Sequence, residues 1–103
     1  MTILADDLFD RIRNELRKLA MPGVTLASID AQSLLIDDLG LDSMKFVDLT
    51  VALESILDVP EFPMQHWVDD QVGQGLPLTV QGLVTACRAL IERREMRHPA
   101  LVG

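Results

Sequence analysis

The sequence predicts an all-α fold, a small up-and-down bundle of three long helices with one additional short helical turn. Apolar residues recur at helical spacing in three separate segments. No segment alternates apolar and polar residues as a half-buried strand would. With 103 residues and 49% hydrophobic content, the chain suits one compact domain with its own core.

The first helix is predicted over about residues 5–20, and Pro22 and Gly23 end it. The segment 21–41 shows neither a helical nor a strand period, so we expect a long loop that is pinned to the core by its apolar residues. Loops of this length in compact domains are more often functional than idle. The apolar side of the first helix comprises Leu8, Phe9, Ile12, Leu16 and Leu19.

The second helix is predicted to begin at Asp42 and Ser43 and to end before Pro60. Asp42 suits the N-cap, because its carboxylate can accept hydrogen bonds from free backbone N–H groups. One apolar stripe consists of Phe46, Leu49, Leu53, Ile56 and Leu57. A second apolar row on a neighbouring face consists of Met44, Val47 and Val51. This row either widens the core contact or is partly exposed for a partner.

The segment after Pro60 is irregular, with a short helical turn near residues 64–69. The last helix is the clearest, and Thr79 can cap it. Its apolar residues are Val80, Leu83, Val84, Cys87, Leu90 and Ile91. We therefore expect a single domain over residues 1–97 and a flexible C-terminal tail over residues 98–103.

The negative charge is concentrated in the middle of the chain. The net charge is −7, but the segment from Asp30 to Asp70 contains ten acids and one base, a local net charge of −9. Nucleic acid would be repelled by this surface, because phosphate binding needs clustered Lys and Arg. A basic protein partner would be attracted to it.

Several other classes of protein are disfavoured. Cys87 is the only cysteine, so an internal disulfide cannot form. Cys87 and the two histidines lie too far apart in the sequence to show the spacing of metal ligands. No stretch approaches the roughly 18 apolar residues of a membrane span. The N-terminal segment contains acidic residues, whereas a secretory signal has a basic start followed by an apolar run. We expect a monomer that acts in the cytoplasm.

The motif most informative about function is residues 37–44, where the long loop enters the second helix. Its sequence is Asp-Asp-Leu-Gly-Leu-Asp-Ser-Met. This stretch resembles the attachment signature of the acyl carrier protein family, D-x-G-x-D-S-[LM]. The similarity extends over about residues 8–91 in helix order and loop placement. The matching motif residues are Asp38, Gly40, Asp42, Ser43 and Met44.

The resemblance implies a carrier without catalytic activity of its own. A phosphopantetheinyl transferase would move 4′-phosphopantetheine from coenzyme A onto Ser43, with Asp42 presenting the metal-bound cofactor. A phosphate on a serine in the first turn of a helix lies near unpaired N–H groups and the positive end of the dipole. Gly40 lets the chain turn tightly, so that the active site of another protein can come close.

Acyl-loading and acyl-processing enzymes are the other partners that the resemblance implies. Lys45 and Phe46 stand where housekeeping fatty-acid carriers usually have an acid and a small polar residue. This difference points to a specialised stand-alone carrier for polyketide, modified lipid, fatty acid or aminoacyl chemistry. Complementary charge would raise the encounter rate with such enzymes. The expected docking residues are Asp38, Met44, Lys45, Asp48 and Glu54.

Two other functions compete with this one. An unmodified helical adaptor would use Asp42 and Ser43 only as a helix cap and would bind a basic partner on its acidic face. A hydrolase would use Ser43 as the nucleophile, with His66 or His98 as the base. The sequence around Ser43 is not the G-x-S-x-G elbow of such enzymes, so this function is disfavoured.

Overall fold

The computed structural model describes the backbone of residues 5–102 and the side chains of residues 7–93. The described chain is an all-helical bundle without a β-strand, which confirms the predicted fold class. Its helices are α1 (Ala5–Leu19), α2 (Ser43–Leu57), α3 (Met64–Gly73) and α4 (Val80–Val102).

The core lies where α1, α2 and α4 contact one another. Buried residues four apart form one side of each of these helices, as the helical period requires. They are leucine and isoleucine in α1 and α2, and valine, leucine and cysteine in α4. α3 adds Met64 and Trp67 to the same core, and the connection before it adds Phe62. The buried residues of the three longer helices are Leu8, Ile12, Leu16, Leu49, Leu53, Leu57, Val80, Leu83, Val84 and Cys87.

The segment between α1 and α2 is a long loop with one short 3₁₀ turn at Leu26–Ser28. Ile29, Leu35, Leu39 and Leu41 are buried in the core, so the predicted pinning of this loop is confirmed. The loop thereby carries the motif residues 37–44 to a defined place at the start of α2.

Backbone hydrogen bonds also join this loop to the start of α4. The Val80 N–H donates to the Ser33 carbonyl at 3.1 Å, and the Gln81 N–H donates to the Ala31 carbonyl at 2.9 Å. The Thr79 hydroxyl accepts from the Gly82 N–H at 3.0 Å, which confirms the predicted cap. The first N–H groups of α4 therefore find acceptors in the loop and in the cap.

One helix is longer than predicted, since the helical turn expected near residues 64–69 is a ten-residue helix. The backbone of α4 is helical through Val102. The domain boundary expected at residue 97 stays a prediction. The apolar pattern that predicted α4 stops at Ile91, so periodicity does not indicate where its polar end lies. The flexible tail over residues 98–103 stays a prediction, and Gly103 lies outside the described residues.

Candidate functional site

The start of α2 presents Ser43 to solvent. Asp42 precedes it as the N-cap, in an extended backbone conformation with φ −112° and ψ −176°. The Asp42 carboxylate accepts a hydrogen bond from the Lys45 N–H at 3.0 Å, which confirms the predicted cap. Ser43 is the first helical residue, and its side chain is exposed. Its hydroxyl is therefore accessible to another protein.

Gly40 makes the turn that leads into α2. Its φ of +73° lies in the left-handed region, which favours glycine. A Cβ at this position would lie 3.0 Å from the Met21 Sδ and 3.1 Å from the Met21 Cβ. From the sequence, the glycine at position 40 was expected to leave room for another protein. The structure shows a second reason for it, because Met21 packs where a side chain at position 40 would lie. The approach of a partner stays a prediction.

We expect Gly40→Ala to lower the free energy of unfolding by about 2–3 kcal/mol, from the left-handed φ and the contact with Met21. Gly75→Ala is the matched control, because its φ is +72° and a Cβ there would meet nothing within 4 Å. We expect the control to lose only about 1–2 kcal/mol. Urea denaturation measures both losses, and equal losses would contradict the role given to Met21.

Asp38 lies in the loop before α2, and its carboxylate shapes that loop. Its Oδ2 atom accepts a hydrogen bond from the Leu34 N–H at 2.7 Å. The Asp38 N–H donates in turn to the Leu34 carbonyl at 3.0 Å. Asp38 is exposed, so partner docking stays a prediction for it. The hydrogen bonds give it a structural role that its position in the motif did not indicate.

The second apolar row of α2 is exposed. The exposed fractions are 76% for Met44, 62% for Val47 and 61% for Val51. Of the two alternatives for this row, the wider core contact is wrong and exposure to solvent is correct. Ile36 in the preceding loop is also half exposed, at 51%. These side chains form an apolar surface beside Ser43 whose residues are Ile36, Met44, Val47 and Val51.

The other predicted docking residues of α2 are in different surroundings. Asp48 is exposed and lines a shallow groove between α1 and α2. Lys45 is half-buried. Glu54 is also half-buried, and its Oε2 atom accepts a hydrogen bond from the Phe62 N–H at 2.9 Å. Met44 and Asp48 are therefore free to meet a partner, whereas Glu54 is already engaged within the chain.

An open groove of about 880 Å³ lies beside Ser43, between α2 and the segment that leads into α3. Asp42 and Ser43 line it at the start of α2. Sequence reasoning did not find this groove, because its apolar wall comes from segments far apart in the chain. The only sequence signal is the group of apolar residues around Pro63. The apolar lining includes Leu41, Phe46, Phe62, Met64, Val68 and Leu78.

His66, one of the two bases considered for a hydrolase, is exposed and lines the same groove. No hydrogen bond between Ser43 and His66 occurs in the described part of the chain. The side chain of His98 lies outside the described residues. The described residues therefore do not join a serine to the base that activates it in a hydrolase.

Cys87 lies in the core, and its thiol is buried. Desolvation by burial raises the pKa of this thiol from 9.0 to about 12. At neutral pH the thiol is therefore protonated, and the reactive thiolate is scarce. The chain itself offers no accessible thiol that could carry an acyl group, since Cys87 is its only cysteine.

We expect a maleimide probe at pH 7.5 to leave the folded chain unlabelled and to label Cys87 fully in concentrated urea. Because the folded thiol has the higher pKa, the neutral form is favoured in the folded chain, and stability should fall as pH rises from about 9 to about 12. Intact mass measures the labelling. Rapid labelling without urea would contradict the burial of this thiol.

No protein-family model matches the chain, and no curated protein matches it in sequence. Among the described helices, none is long and apolar enough to cross a membrane. The described side chains contain no cluster of three or more His, Cys, Asp and Glu residues that could hold a metal ion. The motif and the geometry around Ser43 are the features of the chain that bear on its function.

Proposed function

We propose that this chain is an acyl carrier protein that acts in the cytoplasm and bears a 4′-phosphopantetheine arm on Ser43. The observation that carries the proposal is the exposed Ser43 hydroxyl at the first position of α2. It follows the Gly40 turn and the Asp42 cap within the D-x-G-x-D-S-M motif. When bound, the arm supplies a thiol that holds an acyl group as a thioester.

Ser43 suits this attachment for two physical reasons. Its Oγ atom can attack the phosphate next to pantetheine and lose its proton, as the diphosphate linkage of coenzyme A breaks and adenosine 3′,5′-bisphosphate leaves. The new phosphate then lies at the start of a 15-residue helix, where free N–H groups and the helix dipole favour negative charge. A phosphopantetheinyl transferase would catalyse this transfer.

The groove beside Ser43 fits an apolar cargo. Phe62 and Met64 form part of its wall, and both are buried from solvent. An acyl chain that enters the groove would remove its own apolar surface from water, at about 25 cal/mol per Å². Acyl groups of fatty acid, modified lipid or polyketide chemistry suit this lining better than charged aminoacyl groups, whose burial would be unfavourable.

Partner enzymes would dock on the exposed apolar surface beside Ser43. Asp42 and Asp48 place negative charge next to Met44 and Val47, so a partner with both basic and apolar residues would be complementary. Docking there would bring the active site of the enzyme close to Ser43. Added salt should weaken the charged part of this contact.

Intact mass spectrometry tests the proposal. The chain is incubated with coenzyme A and a broad-specificity phosphopantetheinyl transferase. A carrier gains the mass of one arm, whereas an unmodified adaptor, which would use the same exposed surface, keeps its mass. A sample with coenzyme A but without the transferase is the control, because any mass gain there would come from a reaction other than enzymatic transfer. An unchanged mass in the folded sample would overturn the carrier function.

A further inference from the structure

Glu54 lies on the side of α2 that faces the groove. Ser43, Val47, Thr50 and Glu54 stand at offsets of 0, 4, 7 and 11, which fall on one face of a helix. The first three of these residues line the groove. At 1.5 Å per residue, Glu54 lies about 16 Å along the helix from Ser43. Glu54 therefore lies just past the part of α2 that lines the groove, at the end away from Ser43.

The Glu54 carboxylate holds the opposite wall in place. Its Oε2 atom accepts the hydrogen bond from the Phe62 N–H at 2.9 Å, and the Phe62 side chain is only 4% exposed in the groove wall. The Phe62 carbonyl accepts in turn from the Met64 N–H at 2.8 Å, where α3 begins. One side chain of α2 therefore positions the segment that starts α3.

Glu54 is also placed to attract a cation. Within the described residues, the ion pairs join Arg13 to Asp10 and Lys18 to Glu15, both within α1. Lys45 is the only lysine or arginine between Asp30 and Asp70 in the sequence. Glu54 follows the exposed Val47 and Val51 along α2, so a partner that docks on these valines would bring its basic side chains near the carboxylate.

We propose that Glu54 is a latch on the groove, which a cationic side chain of a docking partner opens by drawing the carboxylate away from the Phe62 N–H. The Phe62 segment would then move away from α2 and widen the groove beside Ser43, which is already open to solvent. The identity of the partner as a carrier-dependent enzyme rests on the proposed function. The latch itself is a property of the unmodified chain.

Amide hydrogen exchange of the unmodified chain, followed by NMR, tests the latch. Glu54→Ala removes the acceptor, and we expect the Phe62 N–H to exchange at least about tenfold faster. Glu54→Gln keeps an acceptor oxygen and should stay within about twofold of the wild type. Asp48→Ala is the matched control, because it removes an exposed acid of α2 that makes no described hydrogen bond, and it should leave Phe62 exchange unchanged.

A tetra-lysine peptide tests the response to a cation. In the wild type it should speed Phe62 exchange by about two- to fivefold over sodium chloride of equal ionic strength. In Glu54→Gln it should leave Phe62 exchange unchanged, because the peptide can still bind other acids but finds no charged group at position 54 to draw away from the Phe62 N–H. The buried Leu53 amide monitors global unfolding. If Glu54→Ala unfolds globally, the comparison of wild type and Glu54→Gln with the peptide decides the proposal.

Unchanged Phe62 exchange in a folded Glu54→Ala variant would overturn the latch. Equal acceleration by sodium chloride, or acceleration of Glu54→Gln by the peptide, would overturn the response to a partner. These outcomes are separate from the test with coenzyme A. A chain that accepts no arm but shows the predicted exchange would keep the latch and lose only the carrier function.

Discussion

Ser43→Ala is expected to abolish all mass gain when the chain is incubated with coenzyme A and a phosphopantetheinyl transferase. The hydroxyl of Ser43 is the atom that would form the phosphodiester, and alanine has no replacement for it. Asp42 would still cap α2 through its own carboxylate, so the variant should fold with unchanged helix content. Intact mass measures the modification, and circular dichroism measures the helix content.

Ser55→Ala is the matched control for this experiment. Ser55 is also exposed on α2, but it lies 12 positions after Ser43 and outside the motif. We expect this variant to gain one arm at the rate of the wild type. Modification of the Ser43→Ala variant, or loss of modification in Ser55→Ala, would place the attachment at another residue and contradict the proposed function.

Leu53→Ala is expected to lower the free energy of unfolding by about 2–5 kcal/mol. The Leu53 side chain is 0% exposed, so truncation removes buried methyl groups and leaves a cavity between packed helices. Urea denaturation followed by the fluorescence of Trp67, the only tryptophan, measures this loss. A loss of this size would consume much of the stability of a domain of about 100 residues.

Val51→Ala, two residues earlier on the same helix, is the contrasting substitution. Its side chain is 61% exposed, so we expect a change in the free energy of unfolding within about 0.5 kcal/mol. The same variant should weaken the contact with a partner enzyme, because the apolar surface beside Ser43 loses area. Similar destabilisation by Leu53→Ala and Val51→Ala would contradict the assignment of one row to the core and the other to solvent.

Much of the fold was predictable because its signals are local. The period of Leu8, Ile12 and Leu16 predicts α1, since residues four apart share one side of a helix. The N-cap at Asp42 was also predictable, because a carboxylate at that position accepts from N–H groups only two or three residues away. The placement of Ser43 at the start of α2 follows from these local signals.

Other features could not be read from the sequence, because they depend on residues far apart in the chain. α2 carries two apolar rows, and periodicity alone does not say which one the bundle covers. The packing of α1 and α4 against α2 buries Leu53 and leaves Val47 and Val51 in solvent. The hydrogen bond between Glu54 and Phe62 likewise requires the chain to turn back on itself after α2.

The sequence by itself therefore determined the three longer helices, the cap and the motif around Ser43, since each depends on groups within about one or two helical turns. The tertiary structure alone decided the exposure of the second apolar row, the groove beside Ser43 and the contact of Met21 with Gly40. The physical reason is that burial is a property of neighbours, and the neighbours of a residue are set by how the whole chain packs.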